Sequence, residues 1–466
     1  MDLLKHLAIP QSIEHFHVLV VIGGLMSVIL YPYLGFLLGS SILSYVYNRK
    51  GTAEQKHHFT QFAKDLIDIV LINKSVPSIL ALIPSFGLVF VLAQILQSTE
   101  AMSVDLAAYG FLFLLAGVAA MYAYKYTFRL RTVLHDYEGI LEQRRSDASG
   151  LEEIHGYSSE TVKSHLASGR AGVYLLIAAS FLLVSSVTIA ANPTSWSEVD
   201  SFVTLIISVD VLIRTLEFAA LSAAATGVGI LYFFFVGPAG AGKGDTEVKE
   251  VARTVAVRLI VASFVALPVF ILASIVVLPP SSLSGSVYIL AAFSLVLILL
   301  AAQFVYAWFR DSHTRYVNSA VFTFAISIAL ISLNDQLAIH NGTGFQAAVL
   351  ASRFDQATEE LKSKLGVAAA ALTGEDIFNG RCSACHMFDQ KKIGPAYKDV
   401  IPKYGGKKDL IMAFVLNPVK RDPAFPPMPN QGLKPAEADS IVSYILKRLG
   451  SAETKAAPPA QPSPQK

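Results

Sequence analysis

Gly374-Glu375-Asp376-Ile377-Phe378-Asn379-Gly380-Arg381-Cys382-Ser383-Ala384-Cys385-His386 holds both cysteines of this 466-residue chain. Its first eight residues read as the start of a helix, and its last five are C-x-x-C-H. With both cysteines in one short stretch, a disulfide framework is excluded. The spacing suits two thiols that add to the two vinyl groups of a haem, while the adjacent His386 supplies an axial nitrogen. A zinc site would need more Cys or His nearby, and residues 373–449 contain only His386. A thioredoxin-like dithiol would follow a strand, not a helix start. The stretch therefore predicts one haem c, covalently attached at Cys382 and Cys385.

Moving outward to the C-terminal side, the second axial ligand is sought among Met387, Met412 and Met428. Met387 adjoins His386 and cannot reach the opposite face of a haem. Met412 falls in an amphipathic helical run, Asp409 to Phe414, where Met is commonly core. Met428 lies in Phe425-Pro426-Pro427-Met428-Pro429, a stiff non-helical loop suited to holding a ligand. His386 and Met428 are thus the expected metal ligands.

With these pieces in view, residues 373–449 resemble a class I cytochrome c domain. The likeness rests on the lead-in helix with Cys382-Ser383-Ala384-Cys385-His386, on Ile393-Gly394-Pro395, on the Met428 loop, and on a closing helix from Pro435 to Leu449. It implies that the Pro395 carbonyl orients His386. It also implies outer-sphere electron transfer, because iron held by His and Met has no open position for a substrate. Haem attachment in that family is periplasmic. Residues 373–450 carry 12 Lys/Arg against 8 Asp/Glu, a net +4. Lys391, Lys392, Lys403, Lys407 and Lys408 are either a solubilising surface or a docking patch for an acidic periplasmic redox protein.

Toward the N-terminus the character of the chain changes. Overall, 53% of residues are hydrophobic and 15% charged, against about 25% charged in soluble domains. A net charge of +2 gives no reason to expect a nucleic-acid partner. Eight runs reach the roughly 20 apolar residues that span a lipid membrane: 16–46, 65–97, 106–124, 171–191, 200–236, 255–278, 286–309 and 317–339. The first, second and fifth exceed a span, so they tilt, project, or kink, with Pro32, Pro77 and Pro84 as candidate kinks. Met1 to Gln11 lacks the basic segment and cleavage site of a signal peptide, so the first run is expected to be retained. The expected fold class is all-α: a polytopic transmembrane bundle of about eight helices (1–340), a helical connector (341–372), a periplasmic cytochrome c domain (373–449) and a disordered tail (450–466).

Lys and Arg alternate from loop to loop. Arg49, Lys50, Lys56 and Lys64 follow the first run. Lys125, Arg129, Arg131, Arg144, Arg145 and Lys163 follow the third, Lys243, Lys249 and Arg253 the fifth, and Arg310 and Arg315 the seventh. Loops 98–105, 192–199 and 279–285 have neither. The excess of basic residues on the cytoplasmic side places both termini in the periplasm of a bacterial inner membrane.

Ionisable residues within spans point to function. His15 and His17 open the first run and His340 closes the eighth. Asp210, Arg214 and Glu217 share one face of the fifth. Glu217 precedes Val236 by 19 residues, which at about 1.5 Å per residue is close to a full membrane thickness. All six residues are therefore expected near the periplasmic face. They suggest a b-type haem bound at one or more of His15, His17 and His340. For Asp210, Arg214 and Glu217 the alternatives are a structural ion pair and a role beside haem propionates, quinol or protons. His57, His58, His135, His155, His165 and His313 read as surface residues of cytoplasmic loops, and His6 precedes the first run.

The opening from His15-Phe16-His17-Val18-Leu19 to Lys64 also resembles the large subunit of cytochrome bd-type quinol oxidases, which implies b-type haems near the periplasmic side. The third run lacks that family's membrane Glu residues, and no long periplasmic loop separates the later runs. These departures make electron transfer, more than oxygen reduction, the property that this resemblance implies. The expectation is an electron-transfer subunit of a membrane respiratory complex, contacting quinol or haem b, a periplasmic redox partner and other subunits. The alternatives are a bd-like terminal oxidase and a structural anchor.

Overall fold

A computed structural model describes residues 11–97, 99–144, 148–237, 245–364, 372–405, 407–420 and 422–456. His6, Arg145, Lys243, the Ala368 to Ala371 run and the tail after Ala456 lie outside the described residues. All regular structure among those described is helical. They form two compact units: one contains residues up to Leu19, 94–97 and Thr343 onward, the other 20–93 and 99–342.

The helical unit carries the eight expected spans. They are α1 (Ile13–Glu54), α3 (Ser75–Ile95), α4 (Ser103–Arg144), α5 (Ala148–Ala191), α7 (Val209–Phe235), α8 (Thr246–Val277), α9 (Gly285–Asp311) and α10 (Thr314–Gly342). Two of the long runs are broken. The 65–97 run divides into the amphipathic α2 (His57–Val70) and the span α3, because Asn73 Oδ1 accepts hydrogen bonds from Ser75 and Val76 N–H and starts a new helix. Within α3, the wide π turn Ser78–Leu82 comes just before Pro84, which cannot donate to the preceding turn. The 200–236 run breaks at Ser208, whose backbone is extended, leaving the short α6 (Phe202–Ile207) ahead of α7. α1 stays continuous through Pro32.

α4 and α5 correct another expectation. Both are helical well beyond the spans read from sequence, so most of the 125–170 region continues them as helix instead of forming a loop. Small residues allow close packing in this unit: a side chain on Gly39 would lie 2.0 Å from Thr226 Oγ1, and Ser222 Oγ donates to the Gly35 carbonyl at 2.7 Å.

In the other unit, α11 (Gly344–Lys364) leads to α12 (Gly374–Ile377), α13 (Lys408–Leu416) and α14 (Pro435–Ala456). α14 continues past Leu449, so the first residues of the tail expected to be disordered are helical. Phe378, Tyr397, Ile411, Leu433, Ile441 and Val442 form part of the core. The start of α1 also belongs here, with the His15 ring edge-on to Phe354 at 6.0 Å, and Gln346 Nε2 donates to the Gln97 carbonyl at 2.6 Å.

Candidate haem-binding site

Local hydrogen bonding shapes the Cys-Ser-Ala-Cys-His segment. Thr373 Oγ1 accepts from Asp376 N–H at 3.2 Å, and Asp376 Oδ2 accepts from Thr373 N–H at 3.1 Å, closing a reciprocal cap on α12. The bonds to Thr373 hold the Asp376 carboxyl below the usual range. The helix then widens into a π turn, Phe378–Cys382. Cys385 and His386 N–H both donate to the Cys382 carbonyl, at 3.1 and 2.9 Å. This tight winding brings Cys382, Cys385 and His386 to the wall of one cavity.

His386 is fixed from two sides. Its Nδ1 lies 2.9 Å from the Pro395 carbonyl oxygen. A carbonyl can only accept, so Nδ1 is the donor and Nε2 keeps its lone pair. Tyr397 stacks on the ring at 5.0 Å and 11°. Gly394 N–H donates to the Cys385 carbonyl at 2.8 Å, and a side chain there would lie 2.4 Å from His386 Cε1. Burial pushes the His386 imidazole down and keeps it neutral, as a metal ligand must be.

Burial also pushes the Cys382 and Cys385 thiols up to about 11. Neither is the low-pKa thiolate of a redox dithiol. Among the described residues no group of three or more His, Cys, Asp and Glu could hold a metal ion. Both cysteines are free thiols able to form thioethers.

The cavity measures about 380 Å³, within the ligand-site range of about 300–1,000 Å³. Its walls are largely apolar, and Met428 and the prolines around it form part of them. Met412 packs against the core and Met387 is exposed; neither is among the cavity-lining residues. Two thiols, one neutral imidazole with an available Nε2 and one thioether around an apolar cavity fit a covalently held haem. Lys403 and Lys420 stand at its edge, and Lys391, Lys392 and Lys407 are exposed.

The membrane-span residues are arranged differently from the sequence expectation. Arg214 does meet Glu217, at 2.8 Å, but its second partner is Asp335 of α10. Asp210 instead accepts hydrogen bonds from Asn192 and Ser195, both at 3.1 Å, and pairs with Ser208. Asp210, Arg214, Asn334 and Asp335 still line one cavity, of only about 20 Å³. Sequence reasoning missed Asp335 because no spacing rule links residues on different helices. His15 and His17 are exposed, and His340 is half-buried on α10.

His165 is a correction. It is fully buried in α5, not a loop surface residue. Its ring stacks on Tyr124 at 4.3 Å, and its nitrogens lie 3.0 Å from Asn48 Nδ2 and 2.9 Å from Thr127 Oγ1. The cause is the extension of α5, which turns a loop position into an inward-facing helical one.

A helical domain with a Cys-x-x-Cys-His segment and a Met loop around one cavity is a class I cytochrome c. Residues 371–448 match the cytochrome c family. Cytochrome c-551 of Pseudomonas denitrificans is 37% identical over 79 residues, 16% of this chain and 95% of that protein. Cytochrome c-552 of Hydrogenobacter thermophilus is 34% identical over 91 residues, 18% of this chain and 92% of that protein. Through its C-terminal domain the chain belongs to the cytochrome c family, which implies covalent haem and electron transfer. Its apolar helices make it a membrane protein.

Proposed function

We propose that the chain is the membrane-anchored, mono-haem cytochrome c subunit of a bacterial respiratory complex. It would carry electrons between a membrane donor, quinol or a b-type haem, and a periplasmic redox protein. The observation that carries this reading is the single cavity lined by Cys382, Cys385, His386 and Met428. Cys382 and Cys385 would hold the haem as thioethers, with His386 Nε2 and the Met428 sulfur as axial ligands. Haem, when bound, supplies a one-electron iron couple. The residues keep it in place: Pro395 and Tyr397 fix the imidazole, and the apolar walls exclude water. With His386 and Met428 as its two axial ligands, that haem would have no open position for a substrate and would serve electron transfer. The alternation of Lys and Arg between loops supports a periplasmic cytochrome domain at an inner membrane. The exposed Lys391, Lys392, Lys403 and Lys407 suit an acidic partner, whose association would weaken with salt.

A b-type haem would be held at one or more of His15, His17 and His340, or a quinone would bind near Asp210, Arg214 and Glu217. A second reading, a structural anchor for the cytochrome, is favoured by one observation: the Arg214 charge is already matched by Glu217 and Asp335. The bd-type resemblance lies outside the matched residues 371–448, and a bd-like terminal oxidase remains the alternative it implies.

The ligand assignment is tested by the weak long-wavelength Met–iron charge-transfer band of the oxidised protein. Met428→Ala should keep the haem, lose the band and lower the potential, since Met ligation raises it. Survival of the band in Met428→Ala, with its loss in Met412→Ala, would reassign the ligand.

A further inference from the structure

The loop that carries Met428 ends in a tight structure at Gln431 and Gly432. The Gln431 carbonyl is buried and accepts two hydrogen bonds. One comes from Ser352 Oγ at 2.9 Å, and the other from Arg381 at 3.4 Å. Gly432 has φ +63°, and a side chain on it would lie 2.1 Å from Gln356 Nε2. So the backbone following Met428 is pressed against α11.

Arg381 immediately precedes the first haem cysteine, and only 4% of it is exposed. Asp355 of α11 accepts a 2.8 Å hydrogen bond from its Nε, and Glu437 lies 3.7 Å from the same guanidinium. Ser352, Asp355 and Gln356 are i, i+3 and i+4, hence on one helical face. One turn pair earlier on that face, Phe345 lines the haem cavity itself.

One face of α11 therefore holds both chemical ends of the site. It reaches the Cys segment through Arg381 and the Met loop through Gln431 and Gly432. We propose that Ser352 and Asp355 of the connector helix are positioning residues for the axial Met, holding Arg381 and the Gln431 carbonyl so that Met428 stays at the iron. This rests on the assignment of Met428 as ligand. The connector is thus part of the haem site and not only a tether to the membrane.

The physical basis is a buried cation bonded to a buried carbonyl. Asp355→Asn keeps the shape of the side chain but removes the charge that pairs with Arg381, leaving the guanidinium to Glu437 and the carbonyl. Ser352→Ala removes one of the two donors to Gln431 and changes little else. Either change loosens the loop's far end.

The experiment uses the full-length holoprotein in detergent, with Met428→Ala as a control. Three signals are read: the Met–iron band of the oxidised form, carbon monoxide binding by the reduced form, and the midpoint potential. We expect Asp355→Asn and Ser352→Ala to keep covalent haem, lose part of the band, gain carbon monoxide binding and shift to lower potential. All three signals at wild-type values in both variants, with the band lost in Met428→Ala, would overturn the positioning role and leave the ligand assignment standing. A band that survives Met428→Ala would overturn the assignment and the positioning role together.

Discussion

His386 Nδ1 donates a 2.9 Å hydrogen bond to the Pro395 carbonyl. Gly394, the residue before that proline, has its backbone pressed against the same ring. A methyl group there would sit 2.4 Å from His386 Cε1. Neither the ring, stacked on Tyr397, nor the carbonyl can move aside. Gly394→Ala should therefore weaken or misorient the proximal ligand and lower the melting temperature of the haem domain. Unchanged melting and an unchanged Soret spectrum would show that the ring has slack the geometry does not suggest.

The Thr373–Asp376 cap gives a pH dependence of known sign. The Asp376 carboxyl lies below its ordinary value because Thr373 bonds the charged form. Its stabilisation is thus fully present above the unfolded carboxylate range and is lost as the pH falls through the lowered value. Thr373→Ala should reduce the fall in melting temperature between neutral and acid pH. An identical acid profile in the variant would remove this cap from the account.

Arg214 is held by Glu217 and Asp335 within the helical unit. Breaking a buried pair by removing one partner costs about 3–5 kcal/mol. Asp335→Ala should melt earlier in detergent by a corresponding margin. Glu217→Ala should do the same, and Asp210→Ala less, because Asp210 bonds Asn192 and Ser195 instead. Equal effects of all three would mean that Asp210, which lines the same cavity, contributes to holding Arg214 as much as its two direct partners do.

The loop charges predict a topology. Reporters fused after Lys50 and Asp311 should read cytoplasmic, and those after Glu100 and Ser284 periplasmic. α6, only six residues long, cannot span and should not shift the count. Two or more inverted reporters would mean that the helices are miscounted.

Much of this was legible from residues alone, and the reasons are specific. The Cys382–His386 spacing is read one residue at a time, and the spans show as uninterrupted apolar runs. That the 65–97 and 200–236 runs exceed one span was legible, but the positions of their breaks, at Asn73 and Ser208, were not, since a single polar residue inside an apolar run decides them. Asp335 was hidden because its partner Arg214 lies on a distant helix. His165 was misread because polar residues in 148–170 look like a loop while helix extension carries one of them inward. The role of Asp355 was invisible in sequence. It depends on a buried arginine, beside the haem motif, that only the fold brings to α11.

The most direct test is a haem-stained denaturing gel of the purified chain, paired with its pyridine haemochrome spectrum. One covalently bound haem c per chain is expected, lost or crippled in Cys382→Ala and Cys385→Ala and retained in Met428→Ala. A chain that carries no haem through denaturation, or keeps it unchanged without either cysteine, would contradict it.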